Sequence, residues 1–494
     1  MAGEETSHLV RERREKAERL RARGVEPYPW SFPDRVPTAT VRDAAATLEP
    51  GGEAAGRSFR VAGRLRTVRA HGKSAFLTID DLAGELQLFV RVDELGEGAY
   101  GRWLSDLDPG DLLGAAGHAL RTRRGEPSLL VRELTILAKA IEPPPEKFHG
   151  LQDPEERIRR RYVDLLSSAE TRQRFLARTL LVRDLRRFLD DAGFFEVETA
   201  VLGNVAGGAA AAPFVTRSNY LKEDLQLRIS LELPLKRLLV GGLERVYELG
   251  RVFRNEDLDS THCPEFTELE IYWAYADYHD MRGLVERMYA RLAKRVAELL
   301  PDLPAAREAP QVFAPPFVTV DWVTELERLS GISNVLEKDR EELGRLARAA
   351  GATVPSDSPP GKFLDKLFEH YVEPTLDRPT FVLDYPEATT PLAKRHRSRP
   401  GLVERFELFG RGVELGNAYT ELNDPVEQRR RFEEQVSARP DEHYAYDDDF
   451  VHALGFGMPP ATGLGIGVDR AIMVLAGIPS IKEIILFPPV RSRG

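Results

Sequence analysis

The stretch from Arg251 to Tyr272 concentrates charged side chains at spacings that could do chemistry. It reads RVFRNEDLDSTHCPEFTELEIY and places Arg254 just before a polar loop. A guanidinium in that position can bind a phosphate oxygen. After the loop, polar and apolar side chains alternate, with Glu268, Glu270 and Tyr272 on one side of a predicted strand. The pattern predicts an antiparallel hairpin facing one anionic and one cationic substrate, although an exposed, salt-bridged hairpin would show the same charges.

A second stretch, RFELFGRGVELGNAYTELND from Arg405 to Asp424, carries another polar strand face. Asn417, Tyr419 and Glu421 stand two residues apart and therefore share one side of a strand. Glu407 and Glu414 are seven residues apart, which normally puts two side chains on opposite faces. Glycines at 410 and 412 permit the chain to turn so that the two carboxylates converge. Paired carboxylates suit Mg²⁺, which takes oxygen ligands shared with substrate phosphates.

A third stretch, ATGLGIGVDRAIMVLAG from Ala461 to Gly477, predicts a glycine-rich turn that enters a buried helix. Its glycine spacing differs from that of a dinucleotide-binding loop. Arg470 would lie in the first helical turn, where the helix dipole already favours an anion. The position predicts a second phosphate contact.

Together these stretches resemble motifs 2 and 3 of the class II aminoacyl-tRNA synthetases, and most closely those of the lysyl-tRNA synthetase family. The resemblance implies ATP as a substrate and Mg²⁺ as cofactor, with more than one ion expected. It assigns the α-phosphate to Arg254, the γ-phosphate to Arg470 and the metal to Glu407 and Glu414. It further implies that Phe266 stacks on adenine and that Glu256, His262 and Glu414 contact the nucleotide.

The acidic residues bear on which amino acid is bound. The resemblance places six residues around the amino acid: Glu232, Glu270, Tyr272, Asn417, Tyr419 and Glu421. Aspartyl- and asparaginyl-tRNA synthetases share the motifs, but an aspartate site must present cations. A carboxylate-rich site suits an ammonium on an aliphatic stem, and a substrate without that amine would be rejected by about 10⁴ or more. The implied activity is lysine–tRNA ligation; a lysine ligase acting on a protein, an aspartyl- or asparaginyl-tRNA synthetase, and a non-enzymatic RNA-binding relative are the alternatives.

Upstream of these motifs, residues 59–141 contain five short strand-like runs separated by Gly, Asp and Pro. This pattern predicts a small barrel such as an OB-fold, which often binds single-stranded nucleic acid. Phe76 and Gln87 are candidates for stacking on a base and reading its edge. By resemblance to the anticodon-binding domain of the family, Phe76, Gln87 and Glu133 would contact the tRNA anticodon.

The elements predict an α+β chain in four parts. These are a basic helix and lead-in over 1–58, the OB-fold over 59–142, a hinge over 143–166, and a catalytic domain over 167–494 with a helical insertion at about 301–375. The catalytic domain is expected to be an antiparallel sheet flanked by helices. A helix over about 171–192 and the following strand resemble motif 1, which implies a homodimer.

Composition sets broader limits on the function. The 494 residues include 69 Lys and Arg against 79 Asp and Glu, for a net charge of −10, which argues against bulk electrostatic binding of nucleic acid but allows a local basic surface. The N-terminal helix, predicted from about Ser7 to Arg23, is either such a basic arm for RNA or a solvated helix. A single cysteine, Cys263, and the lack of a long apolar run predict a cytoplasmic protein without a membrane partner.

Overall fold

The computed structural model describes residues 2–145, 151–205, 207–209, 211–438 and 447–491. The chain divides into two compact units, Met1–Gln152 and Asp153–Gly494, and each is described by itself. Together they form the α+β architecture that the sequence predicts: a barrel in the first unit, and a large, mostly antiparallel sheet flanked by helices in the second.

Over its described residues, the first unit combines five strands with four helices. They are α1 (Ala2–Ala22), α2 (Thr38–Ala46), β1 (Glu53–His71), β2 (Ser74–Asp81), β3 (Gly84–Arg91), α3 (Val92–Leu95), α4 (Glu97–Asp106), β4 (Leu112–Arg121) and β5 (Pro127–Ala138).

The five strands close into a barrel in the order β1-β2-β3-β5-β4. Strand β1 is long enough to serve two neighbours, because its second half pairs with β2 and its first half with β4. Alternate apolar residues such as Val61, Leu77 and Leu88 point into the barrel and are fully buried. The opposite, polar face of the same strands is therefore available to a ligand.

The N-terminal helix α1 packs on the barrel through part of its basic charge. Arg13 donates to the carbonyl of Ala140 at 3.0 Å, and Lys16 Nζ lies 2.7 Å from Asp108. Both side chains are buried. Arg23 pairs with Asp106. Three of the cations that suggested an RNA-binding arm thus hold the helix to its own domain.

The second unit is larger and begins with three helices. Its elements are α5 (Pro154–Arg159), α6 (Arg161–Ser167), α7 (Ala169–Asp191), β6 (Phe195–Glu196), β7 (Leu202–Gly203), β8 (Val215–Arg217), β9 (Asp224–Leu227), α8 (Glu232–Val240), β10 (Arg245–Phe253), β11 (Glu265–Ala274), α9 (Tyr278–Leu299), α10 (Pro304–Val312), β12 (Val318–Asp321), α11 (Trp322–Ser330), α12 (Arg340–Ala349), α13 (Pro360–Tyr371), β13 (Thr380–Pro386), β14 (Leu402–Gly410), β15 (Val413–Thr420), α14 (Pro425–Ala438), α15 (Asp448–Leu454), β16 (Ala461–Gly467) and α16 (Val468–Ala476).

An eight-stranded sheet organises this unit, in the order β12-β13-β14-β15-β16-β11-β10-β6. All neighbours are antiparallel except the two edge pairs, β12 with β13 and β10 with β6. Helices α7, α9 and α16 cover one face, where their apolar side chains bury Leu269, Ile271 and Ile466 in the main core. The polar residues of β11 and β15 therefore face the other side of the sheet.

The stretch predicted as a helical insertion, about 301–375, contains helices α10 to α13 and also a strand. That strand, β12, pairs in parallel with β13 and so extends the main sheet at its edge. The helices bury a separate apolar cluster that includes Trp322, Leu326 and Phe363. Among the described residues, none of the helices has the length and apolar character needed to cross a membrane.

Candidate active site

A cavity of about 330 Å³ opens on the polar face of the central sheet. Its walls come from β11, β15, β16, the start of α8 and the loop between β10 and β11. This loop begins at Arg254, because β10 ends at Phe253. The site is therefore assembled from segments more than 200 residues apart in sequence, held together by strand pairing.

Three glycines of β16 form the floor of the cavity. Gly463, Gly465 and Gly467 alternate along the strand and all line the cavity. Each lies opposite a polar residue of β11, in the pairs Tyr272–Gly463, Glu270–Gly465 and Glu268–Gly467. On the other side of β16, Tyr419 is opposite Gly463 and Asn417 is opposite Gly465. Because the glycines of β16 carry no side chains, they leave room for a ligand. The polar side chains of β11 and β15 lie on either side in rows roughly 7 Å apart along the strands.

Tyr272 and Tyr419 flank Gly463 at one end of the cavity, which is called the tyrosine end below. This end is rich in buried carboxylates. Glu232 opens helix α8, and its Oε1 accepts a hydrogen bond from the hydroxyl of Tyr419 at 2.5 Å. Glu270 accepts from Tyr272 at 2.7 Å, from the hydroxyl of Ser230 and from the Leu231 amide. Burial, together with the nearby Glu268, raises the pKa of Glu270 well above its usual value. This end of the cavity would be stabilised by a cation.

Glu421 lies behind this end rather than on the cavity wall. Its side chain is 0% exposed, and its Oε2 pairs with the ammonium of Lys236, which is also 0% exposed. A Cβ built on Gly463 would come within 2.2 Å of Glu421 Oε1, so the carboxylate reaches the cavity floor only because residue 463 has no side chain. Burial raises the pKa of Glu421, and the neighbouring Lys236 opposes that shift.

The opposite end of the cavity carries arginines. Arg254 donates from Nε to the carbonyl of Ile229 at 3.2 Å and lies 3.5 Å from Glu268. Its guanidinium carbon is 5.1 Å from the centre of the Phe266 ring. Arg470, in the first turn of α16, lies 3.5 Å from Glu414. Two cations and an aromatic ring at one end, with carboxylates at the other, give the cavity a polarity along β16.

The loop between β10 and β11 contributes further polar groups. Glu256 and His262 are exposed and both line the cavity, and Nδ1 of His262 lies 2.8 Å from Asp259. Hydrogen bonds from the loop keep the pKa of Asp259 below its usual value despite some desolvation, so its carboxylate holds the histidine ring. Cys263 is buried in the same wall, and burial raises the pKa of its thiol.

Glu407 and Glu414 come to the same face through two features: the tight turn at Arg411 and Gly412, which reverses the chain after Gly410 as the sequence predicts, and an irregularity in the strand pairing. The register between β14 and β15 shifts after Leu408, so that Leu415 is an extra residue on β15. This β-bulge turns Glu414 to the face that carries Asn417, the partner of Glu407. Glu407 accepts from the Tyr385 hydroxyl at 2.8 Å and pairs with Arg405. It does not line the cavity, whereas Glu414 does.

A metal site is only partly built by the protein. Among the described residues, three or more His, Cys, Asp or Glu side chains nowhere gather as metal ligands would. Burial raises the pKa of Glu407; the charge of Glu414 adds to that shift, and the neighbouring Arg405 opposes it. Two carboxylates beside the arginines that the sequence predicts to bind phosphate fit Mg²⁺, which commonly takes one or two protein ligands and completes its shell with phosphates and water.

The sequence motifs assign no role to three residues of the site. Alternation places Glu268 on the strand face of Glu270, but it assigns no function to Glu268. Lys236 gave no signal, because a lysine in an amphipathic helix usually points to solvent. Asp469 precedes Arg470 and is held by Arg178 of α7 at 2.6 Å and by the Thr267 amide at 2.8 Å, which fixes α16 against β11.

Both parts of the chain match known protein families. Residues 153–491 match the family model described as tRNA synthetases class II (D, K and N), and residues 59–137 match the OB-fold nucleic acid binding domain. Curated lysine–tRNA ligases align along the whole chain. The protein from Moorella thermoacetica is 44% identical over 99% of both chains, and that from Roseiflexus castenholzii is 47% identical over 99% of this chain and 100% of its own. The relative from Deinococcus radiodurans is 46% identical over 95% of this chain and 91% of its own.

The chain belongs to the lysine–tRNA ligase family. This membership rests on identity along both units, including the barrel as well as the cavity-bearing sheet. The resemblance inferred from the three motifs is thereby confirmed.

In this family member, the polar face of the barrel presents an aromatic pair. Phe76 and Phe89 pair across β2 and β3, with ring centroids 4.7 Å apart and planes 9° from parallel. Gln87 lies on the same face, where its Oε1 accepts a hydrogen bond from Ser128 at 2.9 Å. Glu133 is exposed on β5. Phe89, which the sequence patterns did not single out, widens the stacking surface predicted at Phe76.

Proposed function

We propose that this chain is a lysine–tRNA ligase, which activates L-lysine with ATP to lysyl-adenylate, releases pyrophosphate, and transfers lysine to the 3′ end of tRNA(Lys). The observation that carries the proposal is the order of charges along the glycine floor. Carboxylates lie at the tyrosine end, and arginines lie at the other end. An amino acid with a terminal amine and a nucleotide triphosphate would occupy these two ends with their reacting groups adjacent.

Lysine recognition is assigned to the tyrosine end. Glu232, Glu421 and the two tyrosines, Tyr272 and Tyr419, would receive the side-chain ammonium. Glu270 and Asn417 in the next row would contact the amino-acid backbone. Burial raises the pKa of Glu270 and of Glu421, so a bound cation would lower the cost of keeping these two carboxylates ionised.

The first chemical step requires positioning and charge neutralisation rather than a catalytic base. The substrate carboxylate is the nucleophile: it bonds to the α-phosphorus, and the bond from that phosphorus to the bridging oxygen of pyrophosphate breaks. Arg254 would hold the α-phosphate and Arg470 the γ-phosphate, while Phe266 would stack on the adenine. Glu256 and His262 would contact the nucleotide from the loop. Fixed cations at such positions stabilise charge that develops in the transition state.

Glu407 and Glu414 are assigned to Mg²⁺. When bound, the ion would neutralise charge on the ATP phosphates, which is the usual service of Mg²⁺ in phosphoryl sites. Glu414 would also orient Arg470, from which it is 3.5 Å away.

The barrel is assigned to the tRNA anticodon. Phe76 with Phe89 offers a flat apolar surface for a base, and Gln87 and Glu133 offer hydrogen-bonding groups on the same strands or their neighbours. Stacking of a base on an aromatic ring contributes about 1–3 kcal/mol per base.

A homodimer is part of the proposal. The segment from 195 to 221 exposes seven large apolar side chains, among them Phe195 at 71% and Tyr220 at 92%. Exposed apolar surface of this density is typical of an interface. Sedimentation of the purified protein at micromolar concentration should give the mass of two chains.

The activity itself is tested by ATP–pyrophosphate exchange with each of the twenty amino acids. Lysine should support exchange, and Arg254→Ala should abolish it. Preferential activation of aspartate or asparagine would contradict the assignment of the acidic end. Charging of tRNA by the same preparation separates a tRNA ligase from a lysine ligase that modifies proteins.

A further inference from the structure

Lys236 is a buried cation inside the proposed amine site. It lies on α8, one turn after Glu232, and its side chain is 0% exposed. Its Nζ is 2.6 Å from Glu232 Oε1 and also pairs with Glu421 Oε2. The rings of Tyr419 and Phe450 lie 5.4 and 5.8 Å from the same nitrogen. Lys236 therefore contacts both carboxylates assigned to the substrate ammonium.

These contacts involve only one oxygen atom of each carboxylate. Both described bonds to Glu232, from Lys236 and from Tyr419, are made to Oε1. Within the described part of the chain, Glu421 Oε1 has no hydrogen-bond partner, and it is the atom that lies next to the missing side chain of Gly463. When both carboxylates are ionised, they and the one internal ammonium carry a net charge of −1, with Glu421 Oε1 facing the cavity floor.

We propose that Lys236 is a positioning and specificity-determining residue of the amine site: its ammonium orients Glu232 and Glu421 and cancels one of their charges, so that the pocket retains the charge for one substrate ammonium. This assignment rests on the proposed lysine–tRNA ligase function and deepens it. Lys236 contacts no reacting atom, and it acts through the two carboxylates.

The charge balance predicts that a second substitution, Lys236→Met, should restore part of the lysine affinity that Glu421→Gln removes. Glu421→Gln alone leaves Glu232 balanced by Lys236, so the pocket loses its attraction for a cation and Lys236 repels the substrate. Adding Lys236→Met removes that repulsion and returns the pocket to −1. A second substitution at a buried pair should therefore restore lysine affinity rather than reduce it further.

The test is a double-mutant cycle on the full-length protein, with lysine affinity measured by calorimetry without ATP and as the lysine KM in pyrophosphate exchange. Glu421→Gln should weaken lysine by about tenfold or more, the size of one lost charge-assisted hydrogen bond. Lys236→Met in that background should recover at least about threefold of this loss, with the ATP KM unchanged.

The matched control is Arg237→Met in the Glu421→Gln background. Arg237 is the next residue on α8, but its guanidinium pairs with Asp447 at 2.6 Å, outside the pocket. It should give no recovery. Equal recovery from both substitutions would indicate a general effect of positive charge and overturn the proposal.

The remaining outcomes are also decisive. Unchanged or weaker lysine binding on adding Lys236→Met would overturn the assignment. If thermal unfolding shows that the Met double variant is not folded, Lys236→Gln replaces it, and failure of both would assign Lys236 to folding alone. Absence of lysine binding by the unmodified protein would instead refute the proposed function, so the two failures are distinguishable.

Discussion

Gly463→Ala should selectively damage lysine binding. The new methyl group would lie 2.2 Å from Glu421 Oε1 and 2.5 Å from the Tyr272 ring, well inside the distance that real Cβ contacts reach. Neither neighbour can withdraw easily, since Lys236 holds Glu421 and the Tyr272 hydroxyl is bonded to Glu270. We expect the displacement to cost about 1–3 kcal/mol of folding stability, as other overpacked sites do.

The effect on function should be larger for lysine than for ATP. If Glu421 is pushed out of place, the loss of one charge-assisted hydrogen bond, about 1.5–3 kcal/mol, would raise the lysine KM by roughly 10- to 150-fold. The assay is pyrophosphate exchange, with lysine and ATP titrated separately, and urea unfolding reports stability.

Gly465→Ala is the matched control for this prediction. It is the next cavity-facing position of β16, but its Cβ would meet only Glu270 Cγ, at an ordinary 3.9 Å. Its lysine KM should change several-fold less. Equal increases in the two variants, or an unchanged lysine KM in Gly463→Ala, would refute the packing argument.

Three other predictions address the rest of the molecule. Phe76→Ala should lower kcat/KM for tRNA charging by about tenfold through lost base stacking, while pyrophosphate exchange is spared; a parallel fall in exchange would remove the barrel from anticodon binding. Arg470→Gln should raise the ATP KM by about tenfold or more without altering lysine affinity measured by calorimetry, and a lysine defect of the same size would place Arg470 elsewhere. Burial raises the pKa of Glu268 to about 7, so the folded state holds a proton that the unfolded chain releases near pH 4.3, and stability should fall between about pH 4.3 and pH 7. Glu268→Gln should flatten that fall by about 1–3 kcal/mol in urea titrations at the two pH values, and an unchanged slope would contradict the shift.

Alternation along two strands was enough to predict which side chains of β11 and β15 share a face. The period of two places Glu268, Glu270 and Tyr272 together, and Asn417 with Tyr419, without any knowledge of the partner strands. The floor between them could not be predicted in the same way. Gly463 and its alternate glycines look like a flexible turn in sequence, whereas the structure uses them as a paired strand.

Burial explains the other differences between sequence and structure. Lys236 follows Glu232 by one helical turn, which in sequence suggests an ordinary surface ion pair, and only the tertiary fold brings Glu421 to the same ammonium. The N-terminal helix illustrates the converse case: the sequence allowed either a basic arm for RNA or a solvated helix, whereas Arg13 and Lys16 of this helix are buried against the barrel. In both cases, contacts between residues far apart in sequence determine whether the side chain is buried, and the local sequence pattern does not reveal such contacts.

The extra residue at Leu415 makes the orientation of Glu414, which we propose as a Mg²⁺ ligand, sensitive to the length of the β14–β15 hairpin. Deleting Val413 would let Leu415 pair with Phe409 and the ladder run without a bulge, which would rotate Glu414 toward the helices, while Asn417 and Tyr419 kept their places. We expect such a protein to fold and to bind lysine, but to use ATP poorly as a substrate. Insertions and deletions in this hairpin should therefore be far less tolerated than their position in a surface turn would suggest.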